Sequence, residues 1–384
     1  MITARPSLFQ SFFHGGFECS THRRRDGRRL DLIAATRHDT FAERDYSHLR
    51  RLGISTVRDG IRWHLIEARP GRYDFSSVFP MLRAAQSAGT QVIWDLCHYG
   101  WPDDINIFSP QFVTRFASMA RAFARILRDE TSGSVFISPI NEPSFMSWAG
   151  GDVEYLNPFE RGRGFELKCQ LARASIEAIE AVWEVLPTAR IVHCEPAIHV
   201  CADPQRPWDR EVAEGFHRYQ FQSLDLLSGA LWPALGGARK YLDVIGLNYY
   251  ANNQWIHQGP TLLRDHALYR PFRELLREYS ERYGRPVFVA ETGAEDDARP
   301  DWLSYVAAEV QGALEGGVVV EGICIYPVLN YPGWDNDRHC HCGLLDYPDD
   351  RGNREVYEPL ADVVGRWRQR FENCQEYGLV ATRG

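Results

Sequence analysis

The chain has 384 residues, of which 44% are hydrophobic, 24% charged and 12% aromatic; this is the balance of a soluble globular enzyme and excludes a disordered, collagenous or coiled-coil chain. Lys and Arg total 43 against 51 Asp and Glu, a net charge of −8, so nucleic acid and anionic membrane surfaces are poor partners and a neutral or cationic small molecule fits better. A chain this long buries a core without disulfides, and its nine cysteines, an odd number set mostly among apolar or aromatic neighbours, read as reduced, buried thiols of a cytoplasmic protein.

Met1 to Pro6 contain neither the long apolar stretch nor the small-residue cleavage site of a signal peptide. A short apolar run over 8–13 predicts a first strand, followed by the basic loop Arg23-Arg24-Arg25-Asp26-Gly27-Arg28-Arg29, read as solvated, and a helix over 39–52 with a capping signal at Asp39 to Glu43. The same alternation continues with strands at 55–58, 91–97, 135–140, 190–194, 244–248, 287–290 and 322–326. The helices that follow them are predicted at 79–88, 110–129, 165–185, 211–227, 268–283, 301–315 and 357–371. Turns such as Leu52-Gly53-Ile54 and Ala88-Gly89-Thr90 supply the glycine that ends a helix in the left-handed conformation. The most apolar stretch, 318–329, is interrupted by Glu321 and Gly322 and is no membrane span. Eight βα units without a linker or repeat boundary predict an α/β fold, one (β/α)8 TIM barrel with elaborated βα loops, occupying 1–384 as a single catalytic domain.

In such a barrel the chemistry lies at the C-terminal ends of the strands. Those ends carry Glu18, Arg58, His98, Asn141-Glu142, Glu195, Asn248-Tyr249-Tyr250, Glu291 and Tyr326, with Trp334 soon after, a set suited to a polyhydroxylated ring. Carboxylates on strands four and seven face each other across a barrel mouth, which can place them about 5 to 5.5 Å apart, the separation of a retaining glycosidase. That reaction needs one carboxyl protonated and one ionised, and Arg58 in the same mouth would hold its neighbour ionised.

Six segments in chain order carry a resemblance. Ile137-Ser138-Pro139-Ile140-Asn141-Glu142-Pro143 resembles the acid/base motif of glycoside hydrolase clan A, and Val287-Phe288-Val289-Ala290-Glu291-Thr292-Gly293 resembles its strand-seven nucleophile motif. Val57-Arg58-Asp59-Gly60-Ile61-Arg62-Trp63 with Arg69-Pro70-Gly71, His98-Tyr99-Gly100-Trp101-Pro102 and Asp243-Val244-Ile245-Gly246-Leu247-Asn248-Tyr249-Tyr250 are most similar to family 1 of that clan, the β-glucosidases. The resemblance covers nearly the whole chain. It implies that Glu142 is the general acid/base and Glu291 the nucleophile, that Asn141 bonds the sugar 2-OH, and that His98 contacts another hydroxyl. It further implies that Arg58 and Tyr250 support Glu291 and that Tyr326 and Trp334 form an apolar face beneath the ring. No cofactor is implied. The partner is a small carbohydrate or glycoside, with no nucleic acid and no membrane, and homo-oligomerisation is left open.

The chain departs from the family as a divergent member. The eighth strand reads Tyr326 where the family usually has Trp, and Gly333-Trp334 where it has Glu-Trp; Glu18 stands near where the family places a sugar-binding glutamine. The sugar is therefore open, and a clan A glycosidase or transglycosidase of other specificity, or a non-catalytic sugar-binding barrel, are the alternatives to a β-glucosidase-like hydrolase. A metal-dependent sugar isomerase is a further rival, separated by unchanged glycosidase activity in EDTA. The bond Tyr326-Pro327, at a place where the clan often has a cis peptide, is expected to be cis. Trp101, Trp148 and Trp255 sit in βα loops, as further sugar subsites or as cover for the rim. The run His339-Cys340-His341-Cys342 alternates too closely for all four side chains to reach one tetrahedral zinc, so these residues read as loop residues of the mouth.

Overall fold

The computed structural model of the protein describes residues 8–380, with side chains through residue 372. The Met1 to Pro6 segment and the Cys374 side chain lie outside what it describes. Eight parallel strands close into a barrel: β1 (Phe13–Gly16), β2 (Thr56–Gly60), β3 (Gln91–Cys97), β4 (Phe136–Ile140), β5 (Arg190–Pro196), β6 (Val244–Asn248), β7 (Val287–Thr292) and β8 (Val320–Ile325). Each pairs with its neighbours in sequence, and β8 closes on β1. The principal helices behind them are α1 (His38–Arg51), α2 (Phe79–Ala88), α3 (Pro110–Glu130), α4 (Gly164–Trp183), α5 (Arg210–Ser228), α6 (Phe272–Tyr283), α7 (Ala298–Glu315) and α8 (Glu358–Val380). Much of the added length lies in the βα connections, where short strands pair 199–201 with 254–256 and 331–332 with 339–340.

The strands are apolar almost throughout because both of their faces are covered. Inside the barrel, Ile93, Phe136, Val192, Cys194, Val244, Phe288 and Ala290 pack with Phe9. The lumen is tight enough that a Cβ on Gly246 would lie 2.5 Å from the Ala290 Cβ, so β6 needs glycine there. Outside, α3 buries Phe112, Phe116, Met119, Phe123 and Leu127, spaced three or four residues apart, against the sheet and its neighbour α4. Truncating Phe123, which is fully buried, to alanine would cost about 3–5 kcal/mol through lost burial and the cavity left behind.

β3 and β6 have the predicted bounds, whereas β1 is displaced from 8–13 to 13–16. The apolar residues that suggested the earlier strand are buried for another reason. Phe9 plugs the lumen, with its ring 5.1 Å from Phe136 and 5.3 Å from Phe288, while Ser11 Oγ accepts from the amides of Ser55 and Thr56 and bends the chain under the barrel. The capping signal at Asp39 is likewise spent elsewhere: α1 begins at His38 after a left-handed Arg37, and Asp39 accepts from Arg62 at 2.8 Å. Gly53 and Gly89 do take the left-handed conformation, with φ of 82° and 63°. The basic run is held by carboxylates, Arg23 and Arg29 on Asp103 and Arg24 on Asp337, which leaves it a paired loop. Eight cysteines are free, and no helix is long and apolar enough to cross a membrane, both among the described residues.

One buried polar cluster lies below the mouth. His38 bonds Asp45 and Asp59, each at 2.8 Å, Tyr46 donates to Asp59 at 2.5 Å, and Arg354 grips Asp45 at 2.6 Å. It ties α1 and β2 to the hairpin of strands 345–348 and 354–356.

Candidate active site

Arg58, on β2 and without solvent exposure, is the centre of the mouth. Its Nη1 donates to Glu291 Oε1 at 3.0 Å and to the Ala290 carbonyl at 2.9 Å; its Nη2 donates to Asp95 Oδ2 at 2.6 Å and Asn141 Oδ1 at 3.1 Å. A charge so deeply buried is tolerated because it is paired twice. Glu291, on β7, takes its second donor from Tyr250 Oη at 2.9 Å. Asn248 lies opposite Glu291 in the register of β6 against β7, and its Nδ2 donates to Glu142 Oε1 at 2.9 Å. Tyr99 Oη donates to the other Glu142 oxygen at 2.5 Å.

Glu142 follows β4 with φ 43° and ψ 60°, a left-handed conformation that costs a non-glycine residue free energy and that clusters at functional sites. Its amide donates to the Cys194 carbonyl on β5 at 2.9 Å, which pins the turn. The two glutamates thus have different surroundings. Burial raises both carboxyls. Glu291 is pushed up to about 7 by burial, with Arg58 pulling it down and the Glu142 charge pushing it further up. Glu142 is raised by burial and lowered in part by Tyr99 and Asn248, and its contact donors are neutral. One proton is most cheaply shared with Glu142 carrying it, because only Glu291 touches a cation.

His98, just after β3, donates from Nδ1 to Asp95 at 3.2 Å, which leaves Nε2 to accept from Asn141 Nδ2 at 3.2 Å. Burial opposes its charge, but Asp95 and Glu18 outweigh it and raise its pKa. Tyr326 stacks over Arg58 at 5.4 Å and reaches His98 with its hydroxyl at 3.3 Å; the bond to Pro327 is cis. Gly16 is required beside it, since a Cβ there would meet the Tyr326 ring at 2.1 Å.

A cavity of about 1210 Å³ opens above this network. Of the residues singled out in the sequence, Glu18, His98, Glu142, Tyr250, Glu291, Tyr326 and Trp334 line it. Arg58 and Asn141 are fully buried behind that wall. The Asn141 side chain bonds Arg58, Asn248, His98 and Tyr99. Trp334 stands edge-on to Tyr99 at 5.5 Å and to His22 at 4.9 Å. Trp148 and Trp255 reach the cavity, whereas Trp101 is buried with its indole on the Ile105 carbonyl. Glu195 is fully buried and accepts from the Ser144 amide; burial pushes it up to about 8, and the nearby Lys168 is pulled down to about 8 by the same cause.

No protein-family model matches the sequence, and no curated protein matches it. The architecture, however, has close structural neighbours. A family 1 β-glucosidase from Thermotoga maritima superposes with a TM-score of 0.77 at 17% identity, covering 97% of this chain and 98% of that one. The β-glucosidase from Thermotoga maritima in complex with glucoimidazole gives the same TM-score and identity over 97% of this chain and 99% of that one. A β-glycosidase from Pyrococcus horikoshii gives 0.76 at 17% identity over 96% of each chain. At such identity the likeness establishes the fold, a β-glycosidase-like (β/α)8 barrel.

Three members of the network were passed over in the sequence. Asp95 stands alone inside the apolar run Trp94-Asp95-Leu96-Cys97, and an unpaired carboxylate there signals a buried cation. Tyr99 was visible only as the neighbour of His98, and Asn248 only as a polar strand end.

Proposed function

We propose that the protein is a retaining β-glycosidase that hydrolyses small β-glycosides or short oligosaccharides, acting as one catalytic domain without a cofactor. The observation that carries this reading is the pair Glu142 and Glu291 on one cavity, the first held by Tyr99 and Asn248 and the second by Arg58 and Tyr250. The ionised Glu291 oxygen attacks the anomeric carbon, and the bond to the leaving oxygen breaks as Glu142 gives that oxygen its proton. A glycosyl ester on Glu291 results. Glu142, now a carboxylate, takes a proton from water, the hydroxide so formed displaces Glu291, and both residues return to their starting states.

His98 and Glu18 offer polar contacts to the ring hydroxyls, and Tyr326 and Trp334 offer aromatic surface. Gly333 stands where the family usually has a glutamate, which favours a sugar other than glucose as the second reading. The free thiols fit a reducing, cytoplasmic setting. The test is release of the aryl group from gluco, galacto, manno, xylo, fuco and 6-phospho β-glycosides by the wild type and by Glu291→Gln. Turnover of one sugar by the wild type with a loss of at least about 10³-fold in the variant is expected. Equal release by both proteins would overturn the assignment of Glu291, and silence of the folded wild type across the panel would turn the reading toward binding.

A further inference from the structure

We propose that His339, His341 and Asp346, on the connection between β8 and α8, form a binding site for a zinc-class divalent cation. The run His339-Cys340-His341-Cys342 enters on the short strand 339–340, and its burial alternates residue by residue, as side chains sent to opposite faces would. Cys340 and Cys342 turn inward, 3% and 6% exposed, and both histidines face solvent. The alternation that keeps four ligands from one ion therefore delivers two of them together.

Their imidazoles lie parallel, with centroids 4.6 Å apart and planes 10° from each other, and Asp346 Oδ1 is 3.9 Å from His339 Nε2. One ligand atom from each of the three residues lies within 4.8 Å of the other two. The carboxylate is oriented in advance: its Oδ1 accepts from Asn330 Nδ2 at 2.8 Å and from the Tyr347 amide at 2.7 Å, which fixes the direction of Oδ2. Such outer partners hold a metal ligand in place. Neither imidazole has a hydrogen-bond partner among the described residues, and the Tyr347 ring stands edge-on to His339 at 4.1 Å.

Nitrogen and oxygen donors bind zinc at about 2.0–2.2 Å, so a small rotamer change closes the present spacing around an ion, with a further position left for water. Two imidazoles and one carboxylate select Zn²⁺, Ni²⁺ or Cu²⁺ over Mg²⁺ and Ca²⁺, which prefer an all-oxygen shell. Tyr331, Trp334 and Cys342 of the same connection line the cavity. An ion held here ties the strand carrying His339 to the segment carrying Asp346 and so braces that wall.

The test is calorimetric titration of EDTA-treated, full-length protein free of any affinity tag with ZnCl₂, beside His339→Ala and His341→Ala. One equivalent is expected to bind the wild type, with affinity falling at least about tenfold in each variant, the loss that removal of even a supporting partner causes. Thermal melting of the metal-free variants checks that they are folded, and Co²⁺ added to the wild type gives a visible absorption band as a second readout. Absence of saturable zinc binding to the wild type, or binding equal in all three proteins, would overturn the site.

Discussion

The Tyr99 hydroxyl accepts from Asn141 Nδ2 at 3.0 Å and donates to Glu142 Oε2 at 2.5 Å, so the proton of that phenol points at the carboxyl proposed as general acid. A donor of this kind favours the ionised form and holds down a pKa that burial raises. Tyr99→Phe is expected to raise the Glu142 pKa and move the basic limb of kcat/KM to higher pH, because the acid then keeps its proton longer. Tyr250→Phe removes the equivalent donor from Glu291, which must be ionised to attack, and is expected to move the acidic limb upward instead. Profiles from pH 4 to 10 on one aryl glycoside separate the two; limbs that stay in place in both variants would sink these roles.

The proposed division of labour also predicts how leaving groups sort the variants. A leaving group such as dinitrophenolate departs without a proton, whereas an alkoxide does not. Glu142→Gln is expected to lose about 10²–10⁴-fold in kcat/KM on alkyl glycosides and far less on the dinitrophenyl glycoside of the same sugar. An equal loss on both would show that Glu142 does something other than protonate the leaving group.

Most of this site could be read from the chain because barrel geometry maps chemistry onto one recurrent place, the residue at which an apolar run turns polar. Arg58, His98, Glu142 and Glu291 all follow that rule, and β3 and β6 have their predicted bounds because fully buried parallel strands are bounded by polar groups. What escaped depends on which partner a side chain finds. Asn141 has the place of a sugar ligand in the motif, and its amide also bonds Arg58 and Tyr99, partners that the motif does not name. The displacement of β1 has the same origin: Phe9 satisfies an apolar pattern by plugging the lumen, and sequence periodicity does not distinguish a plug from a strand.

Glu291 carries a cost that its chemistry explains. Folding raises both carboxyls of the pair Glu142 and Glu291, Glu291 from the ordinary 4.5 to about 7, so the folded pair holds more protons than the unfolded chain in that window, chiefly on Glu142, and stability falls as pH rises through it. Glu291→Gln removes the buried charge. Its stability relative to the wild type, followed by the melting midpoint, is expected to rise between pH 4.5 and 7, by on the order of 3 kcal/mol. A variant less stable than the wild type at pH 8 would mean that the Arg58 contact outweighs burial.

The buried cluster around His38 predicts a trend of the same sign at higher pH, from a group that stabilises the fold rather than costing it. Burial disfavours the imidazolium, but Asp59 and Asp45 outweigh it and lift the pKa from 6.5 to about 9. A base raised in this way contributes stability that is fully present below about 6.5 and is lost as pH climbs through 9. His38→Gln is therefore expected to destabilise most at pH 6, where it leaves Asp45 and Asp59 without their shared cation, and about 3 kcal/mol less at pH 10. Urea unfolding of both proteins at the two pH values measures the difference. Because Arg354 stays on Asp45 at 2.6 Å in either case, a gap that does not change with pH would mean that Arg354 alone neutralises the cluster and that His38 is folded neutral.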